Sequence, residues 1–194
     1  DIDADWQYAA GVSGMWQYSE NLGEEYLIPS YRLFDTGVFA SVTRQWDRLT
    51  LSGGLRYDIR RLHSYEQMDE NELRFTDFTR NFQGLTGSVG AIYNITPKLN
   101  MRLNLSKGFR APNLSELGSN GKHEGTFRHE LGNQQLSPEH SWQLDFGIDY
   151  SSEIISTQLS LFANHISNYI FLEKMSDDAT DNYFQYRQGT ARHS

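Results

Sequence analysis

A strict two-residue alternation of apolar and polar side chains runs through this sequence and rules out helices over most of its length. Between residues 99 and 106, Leu99, Met101, Leu103 and Leu105 alternate with Asn100, Arg102, Asn104 and Ser106. Trp142, Leu144, Phe146, Ile148 and Tyr150 alternate with Gln143, Asp145, Gly147 and Asp149. Leu49, Leu51, Leu55, Tyr57 and Ile59 stand opposite Thr50, Ser52, Arg56, Asp58 and Arg60. Successive side chains of an extended strand point to opposite faces, so each segment has one apolar and one polar face. The pattern predicts eight strands, at about 5–18, 33–46, 49–61, 84–95, 99–110, 140–150, 154–172 and 183–190.

The connections narrow the choice further. Gln45–Arg48, Thr96–Lys98 and Ser151–Glu153 read as tight turns, whereas about 19–32, 62–83, 111–139 and 173–182 are long segments. Short and long connections alternate throughout, so one end of the sheet carries turns and the other loops. Outer-membrane barrels have this layout. The first strand carries Trp6, Tyr8, Ala10, Val12, Gly14, Trp16 and Tyr18 on one face, aromatic at both ends and small at the centre. The ten steps from Trp6 to Trp16 cover about 33 Å, or roughly 25 Å along a barrel axis after tilting, which is the height of an apolar band between aromatic girdles. Trp46, Tyr93 and Tyr150 precede the tight turns on apolar faces, at one membrane level. A soluble sandwich shows the same alternation but accounts for neither the aromatic order nor the turn–loop alternation.

The composition fits this reading. Aromatics make up 13% of the chain, yet the mean hydropathy is −0.63, as expected when one strand face and all loops are polar. No apolar run is long enough for a transmembrane helix. The net charge of −8 argues against nucleic acid as a partner. The absence of Cys excludes thiolate chemistry. The expected fold is therefore all-β: an antiparallel transmembrane β-barrel segment of about eight strands, with short turns at one end and long loops at the other. A closed eight-stranded barrel with a structural or adhesion role is the competing architecture. Lumen-side small residues such as Ser52, Gly54, Thr86, Ser88 and Gly90 suit a wider, solvated interior better.

Particular residues carry a resemblance. Phe109-Arg110-Ala111-Pro112, then Glu116-Leu117, Gly132-Asn133, Leu136 and Pro138-Glu139, resemble the barrel signature of TonB-dependent outer-membrane receptors. The run from Leu159 to Ile170, ending Asn164-His165-Ile166-Ser167-Asn168-Tyr169-Ile170, resembles that family's next strand. Leu51-Ser52-Gly53-Gly54-Leu55-Arg56-Tyr57-Asp58 resembles its recurrent Gly-x-Arg-Tyr-Asp strand. Gln134 and Ser137 depart from the pattern, where Pro and Lys are usual. The resemblance implies a bacterial outer-membrane location in a Gram-negative cell and a barrel of about 22 strands around a plug. It also implies import of a scarce nutrient driven through the TonB complex. Residues 1–194 are then expected to be a partial barrel, with the plug that would engage TonB lying outside them. The expected partners are the TonB complex through that plug, outer-membrane lipid and lipopolysaccharide, and the nutrient; no cofactor is expected.

The chemistry-bearing residues gather in the long segments. His123-Glu124 and His129-Glu130, with Arg128, place two His–Glu pairs six residues apart in the 111–139 loop. These five are the candidate ligand-binding residues, and His123 and His129 the candidate metal ligands, because imidazole with carboxylate suits borderline metals. A metal ion, haem or metal chelate is the leading expected cargo, and a carbohydrate or other organic nutrient the alternative. Arg56, Asp58, Arg60, Arg102, Asp145 and Asp149 are expected to line the lumen, with Arg102 paired to Asp145 across strands. Arg110 is expected to make a structural contact to loop or plug. Catalytic motifs are missing: His123-Glu124 lacks the following His of a zinc protease, and Ser13 in Gly11-Val12-Ser13-Gly14 is no nucleophile elbow.

Overall fold

A computed structural model describes residues 6–22, 27–69, 71–123, 128–176 and 182–193, with the side chains of His123 and His193 excepted. Its elements are β1 (Trp6–Ser19), β2 (Tyr31–Gln45), β3 (Leu49–Ser64), β4 (Gln67–Asp69), β5 (Glu72–Phe75), β6 (Phe78–Thr96), β7 (Leu99–Arg110), α1 (Leu114–Gly118), β8 (Asn120–His123), β9 (Arg128–Leu131), β10 (Glu139–Ser151), β11 (Ser156–Lys174) and β12 (Tyr183–His193). One sheet runs in the order β1-β2-β3-β6-β7-β10-β11-β12-β9-β8, and β4-β5 form a separate hairpin. The sheet does not close on itself among the described residues; β1 and β8 are its edges.

The eight long strands form the expected antiparallel meander, because each keeps its apolar face in register with the next. Along one row the pairs are Trp6↔Arg44, Arg44↔Leu51, Leu51↔Ala91, Ala91↔Leu103, Leu103↔Phe146 and Phe146↔Leu161. Slipping any strand by one residue would turn its whole apolar set to the other face. Val12, at 80% exposed, and Leu55, at 63%, lie on this face, so the apolar side of the sheet is a surface and not a core. Such a surface suits lipid. At the turn end the Arg44 guanidinium carbon sits 4.6 Å from the Trp6 ring centre and 4.6 Å from that of Trp46, building the aromatic girdle around a cation.

Three expectations require correction. The sheet holds ten strands, not about eight, and is not wholly antiparallel: β9 pairs parallel to β12 through Tyr183↔His129, Phe184↔Glu130 and Gln185↔Leu131. β8 and β9 are four-residue strands of mostly polar residues, too short for an alternation to be read. They form because the loop end of β12 offers unpaired backbone groups to which a segment can add. Second, β11 starts at Ser156 and not at 154; Ile154, 93% exposed, belongs to the turn closed by Ser152 N–H donating to Ile155 O at 2.8 Å. Third, parts of the segments 62–83 and 111–139 are ordered secondary structure: the β4-β5 hairpin, the start of β6, α1 and β8-β9.

The buried apolar cluster lies toward the loop end. Leu62, Phe82, Ala111, Leu114, Leu117, Leu136 and Ile170 pack together, flanked by Ile28, Phe78, Phe109 and Tyr186. Its members come from three wall strands, β3, β6 and β11, and the 111–139 loop, so the loop is seated against the wall. Phe82, one of three Phe in the second long segment, belongs to this cluster.

Candidate functional site

The seat of the 111–139 loop is built from the signature residues. Pro112 precedes Asn113, whose side chain accepts from the Glu116 N–H at 2.9 Å, while the Glu116 carboxylate accepts from the Asn113 N–H at 2.9 Å. This reciprocal capping box starts α1. Arg110, the last residue of β7, faces Glu139, the first of β10. Its Nε and Nη2 donate to the two Glu139 oxygens at 2.7 Å each, and Nη1 donates to both Glu116 oxygens at 2.9 Å. A guanidinium fork can serve two carboxylates at once, which a lysine ammonium cannot match in geometry. Glu139 also accepts from the Ile170 N–H at 2.7 Å, so one arginine links β7, α1, β10 and β11.

The returning half of the loop is held backbone to backbone. Gly132 N–H donates to Ser119 O at 2.7 Å and Asn133 N–H to Glu116 O at 2.8 Å. A Cβ on Gly132 would stand 2.5 Å from Gly118 N and 2.6 Å from Leu117 C, so only glycine permits this approach. Leu136 O accepts from Arg80 Nη2 at 2.9 Å. Pro138 O accepts from Asn168 Nδ2 at 3.2 Å, and Asn168 itself adopts a φ of 58° where β11 bulges. The two departures from the family pattern have partners of their own. Gln134 Nε2 donates to Thr76 Oγ1 at 2.9 Å, and the Ser137 backbone exchanges hydrogen bonds with the Gln188 amide at 2.9 and 2.6 Å.

Above this seat lies the β8-β9 hairpin with the candidate ligand residues. Asn120 ties it to the neighbouring loop: its Nδ2 donates to Arg74 O at 2.8 Å, its O accepts from Arg74 Nε at 3.1 Å, and its N–H donates to Leu27 O at 3.1 Å. His129 Nε2 lies 3.2 Å from Asn120 Oδ1, and its ring packs against Tyr183 at 4.6 Å between centres. Burial, together with the positive charges of Arg74 and Lys122, pushes the His129 imidazole below the usual histidine range. It is therefore neutral near pH 7. Glu130 is buried and accepts from the Tyr186 hydroxyl at 3.2 Å, and the Arg128 guanidinium carbon lies 5.2 Å from the Phe184 ring centre. Glu124 and the His123 side chain lie outside the described residues. Among the described residues, no three His, Asp or Glu side chains converge as a metal cluster.

The polar face of the wall carries paired charges. Arg60 bridges Asp35 at 2.6 Å, and Arg56 bridges Asp58 at 2.6 Å while reaching Ser13 Oγ at 2.6 Å. Together with Phe109, Arg110 and Ala111 these residues line a cavity of about 410 Å³. The expected Arg102–Asp145 pair is not made. Arg102 stands opposite Gly147, with an aspartate two residues away on either side, and takes Asp149 at 2.7 Å. Asp145 instead accepts from Gln143 Nε2 at 2.8 Å. Sequence reasoning missed Arg80, Asn120, Tyr186 and Gln188. A signal existed for Gln188 alone, whose Nε2 donates to Asn168 O at 3.0 Å, since an Asn at that position tolerates the positive φ of a bulge.

Comparison with known proteins agrees with this geometry. The model of the family described as TonB dependent receptor-like, beta-barrel, matches residues 2–194. Transferrin-binding protein A of Haemophilus influenzae is 27% identical over 128 residues, which is 66% of this chain and 13% of that protein. The hemophore receptor HasR of Serratia marcescens, solved as a double mutant with its hemophore HasA and heme, superposes with a TM-score of 0.79 at 19% identity, over 98% of this chain and 36% of that one. The copper transporter OprC superposes with a TM-score of 0.76 at 20% identity, over 97% of this chain and 32% of that one. The chain thus spans well under half the length of these relatives. It belongs to the TonB-dependent receptor-like β-barrel family, whose members are non-enzymatic transport proteins of the bacterial outer membrane.

Proposed function

We propose that this chain supplies part of the wall and the loop seat of a receptor that binds a metal ion, haem or metal chelate at its extracellular loops and imports it with TonB-transmitted energy. In this reading residues 1–194 are one section of the barrel, and the plug that contacts TonB is a separate section of the same receptor. The observation that carries the cargo assignment is the placement of His129. Its imidazole is held neutral on a hairpin at the loop end, and neutral imidazole is the metal-ligating form. His123 lies on the paired strand of the same hairpin, where it faces Arg128 in register, and Lys122 faces His129. In this register Lys122 and His129 share one face of the hairpin and Arg128 and Glu130 the other, so His129 would offer the cargo its imidazole on one side, while Arg128 on the other would meet a carboxylate on a chelate or porphyrin. The names of the structurally similar proteins, a hemophore receptor and a copper transporter, support the same cargo class.

The test is ligand binding by the full-length receptor in detergent, with Zn²⁺, Cu²⁺ and haem each titrated alone. His129→Ala and His123→Ala should each weaken the bound cargo roughly tenfold or more, as expected for loss of a metal ligand or its close support. Unchanged affinity for all three probes in the double variant would remove the metal reading and leave an organic nutrient as the cargo.

A further inference from the structure

His129 has two ring nitrogens, and the fold around it tells them apart. Asn120 pairs with Leu131, so it is the diagonal neighbour of His129 on one face of the β8-β9 hairpin, within reach of the ring. The orientation of the Asn120 amide is set by its other contact. Arg74 O is a carbonyl and only accepts, so the amide atom 2.8 Å from it is the NH2 group. Oδ1 is then the atom that faces His129, and it too only accepts. The hydrogen between them therefore belongs to His129 Nε2, 3.2 Å away.

Both partners are held in place. The Asn120 backbone is tied by its N–H to Leu27 O and by its carbonyl to Arg74 Nε. Arg74 is itself anchored on Asp69 at 2.8 Å, and its guanidinium carbon lies 5.4 Å from the ring centre of the buried Phe75. The His129 ring is backed by Tyr183 at 4.6 Å between centres, and its backbone N–H donates to Asn182 O at 2.9 Å. A neutral imidazole protonated on Nε2 carries its lone pair on Nδ1. Among the described residues Nδ1 has no hydrogen-bond partner, and His129 is only half-buried.

We infer, on the reading that His129 meets the cargo, that Asn120 is a positioning residue: its amide oxygen keeps the His129 proton on Nε2 and presents Nδ1 as the nitrogen that binds the metal. A ligating imidazole retains one N–H, and an acceptor for it fixes the ring and strengthens the other nitrogen as a donor. Through Arg74 the β4-β5 hairpin supports a ligand that lies in another loop. The choice of nitrogen also bears on the cargo. Nδ1 adjoins the ring carbon that bears Cβ, so a metal about 2.0–2.1 Å from it lies close to the histidine's own Cβ and backbone. A flat macrocycle around that metal would collide with them, and a bare or hydrated ion would not. Within the proposed cargo class the site therefore selects an ion over haem. Lys122, opposite His129 on this face, is exposed and carries its charge on a flexible stem that reaches water.

The test uses the full-length receptor in detergent with isotope-labelled histidine. Long-range proton–nitrogen correlations report which ring nitrogen of His129 carries the proton, the signal being assigned by its loss in His129→Ala. The unaltered receptor should show the proton on Nε2. Asn120→Ala should mix the two tautomers and weaken Zn²⁺, titrated alone, roughly tenfold, as expected when the support of a metal ligand is removed. Asn120→Asp keeps the acceptor and should keep the single tautomer, which a merely structural role for Asn120 would not require. Haem, titrated alone, should bind no better to the unaltered receptor than to His129→Ala. A proton on Nδ1 in the unaltered receptor would overturn the inference, and so would haem binding that depends on His129. If His129→Ala lowers the Zn²⁺ affinity and Asn120→Ala does not, the cargo reading stands and the positioning role falls; if neither lowers it, both fall. Heat-modifiable mobility on a gel reports whether Asn120→Ala is folded. Where it is not, the tautomer in the unaltered receptor decides the matter.

Discussion

Replacing Arg110 by Gln should loosen the 111–139 loop without dismantling the wall. Arg110 makes four short contacts to two carboxylates whose side chains are only 11% and 12% exposed, Glu116 and Glu139. Removing the guanidinium strands both anions beside each other and away from most water. Breaking a buried ion pair costs about 3–5 kcal/mol. The guanidinium itself is 43% exposed, so water can partly replace it, and we expect about 2–4 kcal/mol. The loss should fall on local opening of the loop, since β7, β10 and β11 keep their backbone ladders. Amide hydrogen exchange of residues 113–119 and 132–136 in the full-length receptor should then accelerate roughly 30- to 1,000-fold, with the centres of β7 and β10 unchanged. The neutral network Arg110→Gln, Glu116→Gln, Glu139→Gln should recover most of the protection, because no buried charge is left without its partner. Exchange within about threefold of the unaltered protein in the single variant would refute the reasoning. A triple variant as labile as the single one would show that the cost lay in packing instead of charge.

Four further outcomes follow from the same geometry. Gly132→Ala forces a Cβ onto the Leu117–Gly118 backbone and should cost more than the ~1 kcal/mol of an ordinary glycine substitution, read as faster proteolysis of the loop on intact cells. Leu117→Ala empties the centre of the buried cluster and should destabilise the seat by about 2–5 kcal/mol, measured by the same exchange experiment. Asp149→Asn should remove a cross-strand coupling with Arg102 of about 0.2–1 kcal/mol in a double-mutant cycle, whereas Asp145→Asn should remove none. The His129 imidazole is held below its ordinary value by burial and two cations, so the unfolded loop binds more protons than the folded one between the two values. Docking of β9 is then complete above the ordinary histidine pKa of about 6.5 and weakens as pH falls through it. Exchange of the β9 amides should accelerate on acidification, and His129→Gln should abolish that dependence.

The wall was legible in the sequence and the loop seat was only partly so. Alternation over eight or nine residues in segments such as 99–106 and 142–150 leaves a single way to place an apolar face, so the eight long strands and their order follow. Strands of three or four residues carry no such period, and β8 and β9 exist only because β12 offers them an edge. The choice of Arg102 between Asp145 and Asp149 shows a different limit: both lie two residues from the facing Gly147, and pairing rules treat them alike. The signature residues were identified as a group, yet the reach of Arg110 to both Glu116 and Glu139 depends on where α1 lies. That position is set by the Gly132 contact and the cluster around Leu117, which are properties of the folded loop.

The parallel pairing of β9 with β12 has a consequence for biogenesis. Residues 129–131 take their partners from residues 183–185, across two entire wall strands that are synthesised later. While the wall is still being laid down strand by strand, the hairpin has no edge to join, and Asn133 lacks the Tyr186 carbonyl that it meets at 3.3 Å. Contacts of such long sequence separation form late, after the closure of the intervening chain has been achieved. The extracellular loop would then be among the last parts of this section to mature. An assembly intermediate halted before β12 should carry the seven preceding long wall strands and a loop open to protease, and protection of that loop would appear only once β12 is in place.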